Sequence, residues 1–167
     1  MKAPGVRGLG ALAARLTARL LGDSRGASAI EFAIVGPVVF ILILGTVEIA
    51  LDMFVDASVQ LAAQAASRAG LTTVDPASGT RADQAKNTVN AILGRWQNVG
   101  ATVNISTLNY GTYSNVGTKN YTSDLGAFGN VVSYNITVTM PGFSGIPQLF
   151  GVKTMTFQRN YIVQNEK

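Results

Sequence analysis

Glu31 is the residue whose surroundings most constrain its chemistry. It stands at the mouth of the run RGASAIEFAIVGPVVFILILGTVEIA, Arg25 to Ala50, and the side chains that follow it are mostly apolar. An ionised carboxylate costs about 2.5–3.5 kcal/mol near the centre of a bilayer and less toward its interface, so a group in this position calls for a partner. The spacing offers one. Gly26 follows Arg25, lies five residues before Glu31, and ends a basic leader. Cleavage after Gly26 would leave an α-amine on Ala27, one helical turn from Glu31, where a cation and a carboxylate can meet within one helix. The positive end of the helix dipole would favour the same carboxylate. The alternative is an uncleaved chain in which Glu31 snorkels to the cytoplasmic interface near Arg25.

Other chemistry is thinly supplied. Cysteine and histidine are both absent, which removes disulfides, thiol nucleophiles, histidine bases and the usual zinc ligand sets. Gly142-Phe143-Ser144-Gly145 lacks the spacing of a nucleophile elbow, and no histidine exists to serve a serine. Beyond the long helix the acids are Asp75, Asp83, Asp124 and Glu166, widely separated along the chain and without a paired-carboxylate signature. The glycines between Tyr110 and Gly129 do not form a phosphate-loop pattern. No catalytic, cofactor-binding or metal-binding residue is therefore assigned, and no small-molecule substrate is expected.

Charge argues in the same direction. The leader carries Lys2, Arg7, Arg15, Arg19 and Arg25 against Asp23, 5 − 1 = +4, which is the whole net charge. A nucleic-acid partner would need a basic patch on the folded part, and none is visible. Lysines and arginines at one end of a span hold that end in the cytoplasm, so the C-terminal region is expected outside. Leu9, Leu12, Leu16 and Leu20 share a helical face with the arginines beside them, as in a transient leader helix. A conventional signal peptide fits less well, because no small-x-small cleavage site closely follows the apolar run.

These groups need elements to place them. From Ala27 to Ala50 a helix rises about 36 Å, enough to cross about 30 Å of hydrocarbon. Pro37 leaves the Ala33 carbonyl without an N–H, and Gly36 adds freedom beside it, so a kink or hinge is expected at Gly36 and Pro37. Past the membrane, Val55, Val59, Ala62, Ala66 and Ala69 keep a helical face as far as the stop signal at Gly70. Glu48, Asp52 and Asp56 form an acidic stripe that reads as a solvated face or as a rail for a basic partner. Arg68 could pair within the domain or with a neighbouring subunit.

Asp75-Pro76 and Ser78-Gly79 mark a loop. Thr80 with Asp83 then reads as a helix cap, opening a second helix with Ala82, Ala85, Val89, Ile92, Leu93 and Trp96 inward. Trp96 is read as a core anchor. After Gly100 the period becomes two. Strands are expected around Val103 and Ile105, over Val132 to Met140, and over Met155 to Val163, with a long polar loop or irregular hairpin from Tyr110 to Gly129. The fold class is α+β: a long N-terminal transmembrane helix extends into a small exported domain with a second helix and a short antiparallel sheet. The expected parts are a basic leader (1–26), a transmembrane segment (27–52) and an exported domain (53–167).

RGASAIEF resembles the processing site of type IV pilin-like proteins. The pattern is most similar to the TadE-like minor pseudopilins of tight-adherence (Flp) pilus systems. The features that carry the resemblance are Glu31-Phe32, the interrupted span at Gly36-Pro37, Val47-Glu48, and the Ala/Gln/Arg-rich helix from Gln60 to Gly70 with Arg68. It implies cleavage by a prepilin peptidase between Gly26 and Ala27. It also implies that Glu31 of one subunit, beside Phe32, pairs with the Ala27 amine of the next. The partners it implies are that peptidase, other pilins or pseudopilins, the tight-adherence secretion machinery and membrane lipid. It implies a single-pass protein of the bacterial inner membrane that either stays there or is incorporated in a pilus. Ala27 is not an aromatic residue, which weighs against N-methylation. The rival from another class is an uncleaved, signal-anchored periplasmic scaffold or binding domain.

Overall fold

The computed structural model describes residues 24–72, 74 and 76–166, with side chains from 28 onward. The leader helix expected at Leu9 to Leu20 and the turn residue Asp75 lie outside the described residues. Element order is a long helix α1 (Ser24–Leu71), a helix α2 (Arg81–Gln97), a strand β1 (Thr102–Gly111), a strand β2 (Val131–Met140), a one-turn helix α3 (Ile146–Leu149) and a strand β3 (Met155–Gln164). A 3-10 turn at Tyr113–Asn115 follows β1. The chain divides into two compact units, Met1–Ile43 and Leu44–Lys167.

In the first unit the described chain is entirely helix. Its large apolar side chains, among them Ile30, Phe32, Ile34, Val38 and Phe40, are exposed. Helix α1 continues without interruption through Pro37. It is long and apolar enough to cross a membrane.

The second unit is α+β, as the periodicities require. Its three strands form an antiparallel meander in the order β1-β2-β3. The register runs from Thr102 opposite Thr139 to Gly111 opposite Val131, and from Met140 opposite Met155 to Val131 opposite Gln164. The central strand β2 contributes Val132, Tyr134, Ile136, Val138 and Met140 to the core. Against them lie Val55, Val59, Ala62, Ala63 and Ala66 of α1, with Ala85, Val89 and Leu93 of α2. Small residues on α1 let the sheet approach closely. At Gly70 the fit is tightest, because an added Cβ would fall 1.9 Å from the Tyr134 hydroxyl oxygen.

Helix α2 begins as its sequence dictates. The Thr80 hydroxyl accepts from the Asp83 N–H at 3.2 Å while Asp83 accepts from the Thr80 N–H at 3.1 Å, a reciprocal capping box. The polar segment between β1 and β2 is tied down by Asn109. Its backbone pairs with Thr122, its side-chain amide donates to Asp124 at 2.7 Å, and its side-chain oxygen accepts from the Gly111 N–H at 2.9 Å. In β3 the inward alternation holds at Met155, Phe157 and Val163, but Tyr161 is exposed. Arg159 takes an inward-facing place on that strand, where it pairs with Asp56.

Candidate functional site

Helix α1 carries all the residues assigned to cleavage, subunit pairing and the kink: Gly26, Ala27, Glu31, Phe32, Gly36 and Pro37. Gly26 and Ala27 lie in its first turns, and Glu31 follows Ala27 by four residues, so the two stand one turn apart on the helix. Glu31 is exposed and has no partner among the described side chains. Phe32 is 71% exposed, yet its ring lies along Gly36: a Cβ there would sit 3.5 Å from the phenyl tip. The first stretch of α1 therefore presents a carboxylate and an apolar surface that the described residues leave uncovered. An exposed apolar patch of this extent marks a membrane or protein contact surface.

The acidic stripe has a different outcome from either expectation. Glu48 is 4% exposed. Its two carboxylate oxygens accept the backbone N–H groups of Phe143 (2.8 Å) and Ser144 (2.6 Å), so a loop of the sheet clamps the helix. Consecutive N–H groups aimed at one anion form a small cationic concavity, the feature of GFSG that a search for serine nucleophiles passes over. Gly142 is required by this approach, since a Cβ would come within 2.8 Å of Glu48 and 2.7 Å of Pro147. Gly145 turns the chain back with φ of 76°, which suits glycine. Two turns further along α1, Asp56 pairs with Arg159 of β3. Asp52, between them, keeps one oxygen buried without a hydrogen bond. Glu48 and Asp56 thus fasten α1 to the 141–154 loop and to β3, the first buried and the second partly exposed.

Trp96 works with that fastening. Its ring meets Phe54 of α1 edge-on at 5.8 Å and Phe143 of the clamping loop at 6.0 Å. It is an anchor at the border of the core, half-buried and not enclosed.

Arg81 was not anticipated. This first residue of α2 is buried and donates to the carbonyls of Gly70 (3.2 Å), Leu125 (3.0 Å) and Gly126 (3.3 Å). It thereby satisfies a terminal carbonyl of α1 and complements the negative end of its dipole. Asn165 donates to the same Leu125 carbonyl at 2.5 Å. Burial pushes the nearby Tyr134 hydroxyl above its ordinary range, partly offset by the Arg81 charge. Arg68 is exposed near the end of α1. Among the described residues no group of three or more His, Cys, Asp or Glu could hold a metal ion.

Residues 26–68 match the family described as TadE-like protein. This segment is similar to that family. The match opens at Gly26, takes in Glu31, Pro37 and Glu48, and ends inside α1, leaving α2 and the sheet uncovered. No curated protein and no solved structure matches the chain. The TadE-like match connects the chain with Tad pilus assembly, and its N-terminal apolar helix fits a membrane-anchored component.

Proposed function

We propose that this chain is a TadE-like minor pseudopilin, cleaved by a prepilin peptidase after Gly26 and active in assembly of a tight-adherence pilus. The observation that carries the reading is the family match that begins at Gly26 and spans Glu31 and the apolar run. In this reading residues 1–26 are the leader, 27–52 cross the inner membrane with the N-terminus cytoplasmic, and 53–167 are exported.

The mechanism is structural. Cleavage creates the Ala27 amine, and Glu31 of one subunit pairs with that amine on its neighbour, beside Phe32. Within an apolar assembly the pairing fixes axial register, because an unpaired buried charge is what costs most. Gly36 and Pro37 form the hinge used when the subunit leaves the bilayer for a filament. The exported part contacts other pilins or the secretion machinery.

Two variants test the reading in piliated cells. Gly26→Phe is expected to retain the leader and abolish pili. Glu31→Gln is expected to be cleaved normally and still fail to support pili. Wild-type piliation with either variant contradicts the proposal. A Gly26→Phe chain whose mass differs from wild type by the substitution alone would favour the uncleaved scaffold.

A further inference from the structure

The loop of residues 141–154 carries an apolar tip with no evident use in the core. Leu149 and Phe150 are 71% and 75% exposed, and Val152 beside them is also exposed. The tip is folded, not trailing: the N–H groups of Phe150 and Val152 both donate to the Pro147 carbonyl, at 3.0 and 2.9 Å. Over 141–154 the sequence PGFSGIPQLFGVKT has no acid and one cation, Lys153.

The Glu48 clamp says where this loop sits. Along the 44–71 part of α1, buried residues begin at Glu48, so within this unit the loop grips the helix at its first buried residue. Beside Glu48 the helix surface is still apolar and exposed, at Val47 and Ile49. The level of the clamp is therefore the level at which α1 leaves hydrocarbon, and the two N–H groups shield a carboxylate that lipid could not solvate. Just beyond it, Phe54, Trp96 and Arg95 line a cavity of about 470 Å³ between α1 and α2. Tryptophan is enriched at both membrane–water interfaces, the outer one included.

We infer that Leu149 and Phe150 insert into the outer interface of the bilayer while the subunit is membrane-resident, so that the exported domain holds lipid at a second point besides α1. The inference rests on α1 spanning the membrane, as in the proposed function, and its occupant is phospholipid. The loop is poised for this contact because Glu48 fixes its height and Pro147 its shape.

Since the chain has no cysteine, single cysteines report cleanly. The full chain, carrying Phe150→Cys labelled with an environment-sensitive fluorophore, is placed in phosphatidylcholine–phosphatidylglycerol vesicles with or without brominated acyl chains. Phe40→Cys in the apolar run and Tyr113→Cys at the far end of the sheet serve as references. Brominated lipid is expected to reduce emission at least twofold at positions 150 and 40 and to leave 113 unchanged. Adding Glu48→Ala is expected to reduce quenching at 150 while position 40 stays quenched. Quenching at 40 but not at 150 overturns the inference and spares the spanning helix. A blue-shifted label at 150 that lipid does not quench also overturns it, by indicating a protein partner. Absence of quenching at 40 removes the spanning reading and this inference with it.

Discussion

Two stretches of one helix solve opposite problems. Over residues 28–43 α1 carries Ile, Val, Phe and Leu facing outward and exposed, with Glu31 at their head. Over 55–70 it carries Val, Ala, Ser and Gly, with Val55, Val59, Ala62, Ala66 and Gly70 buried against the sheet and α2. The first stretch keeps its large apolar side chains uncovered by the described residues. The second is thin enough for its own domain to close over it. The carboxylates follow the same division: Glu31 is exposed, whereas Glu48 is buried under two backbone N–H groups. Helical propensity is common to both stretches. Side-chain volume and the provision of partners separate them.

The comparison breaks if truncation has the same effect in both stretches. Leu93→Ala, which opens a cavity against the second stretch, is expected to cost about 2–5 kcal/mol in denaturant unfolding of the purified chain in detergent. Phe40→Ala, on the first, is expected to leave that transition unmoved. Equal losses would mean that the first stretch is also packed by its own domain.

Glu48 sharpens the contrast between the acids. Glu48→Ala strands the Phe143 and Ser144 donors and is expected to cost about 1.5–3 kcal/mol by the same measurement. It should also raise amide hydrogen exchange in residues 141–154. Glu31→Ala should do neither.

Close approach gives a smaller and more specific effect. Gly70→Ala drives a methyl into the Tyr134 hydroxyl and is expected to destabilise by about 1–3 kcal/mol, although alanine favours a helix interior. Tyr134→Phe alone should be nearly neutral, since that hydroxyl has no hydrogen-bond partner among the described residues. In a double-mutant cycle it should recover part of the loss. A purely additive result would deny the contact.

The smallest effect is electrostatic. The Thr80 hydroxyl and N–H hold Asp83 below its ordinary 3.8, and the Thr122 hydroxyl, with Asn109 and the Gly126 N–H, holds Asp124 below the same value. A carboxyl whose folded pKa is depressed contributes stability above its unfolded pKa and loses it as pH falls through the folded value. The unfolding midpoint is therefore expected to drop as pH falls below 3.8, and Asp83→Asn should flatten part of that drop.

Much of this was legible in residue order. Period two in Val132 to Met140 gave the central strand, Thr80 with Asp83 gave the start of α2, and small residues at helical spacing gave the buried face of α1. What escaped depended on contacts between residues far apart in sequence. Nothing near Glu48 announces that N–H groups at 143 and 144 will satisfy it, so the stripe read as solvated. Arg81 is not marked by any sequence pattern, because its acceptors are carbonyls at 70, 125 and 126, far from it along the chain. Tyr161 follows the inward alternation of its strand, yet it is exposed on the outer strand of the sheet while its cross-strand partner Tyr134 is buried. The Gly26 to Glu31 spacing was legible as chemistry, since its partner would be made by cleavage of the same short segment.

The central claim is that Glu31 is matched by an amine created on Ala27. Intact-mass measurement of the protein extracted from membranes of piliated cells tests it most directly. The account predicts a chain beginning at Ala27, and a chain that retains Met1 through Gly26 in those cells contradicts it.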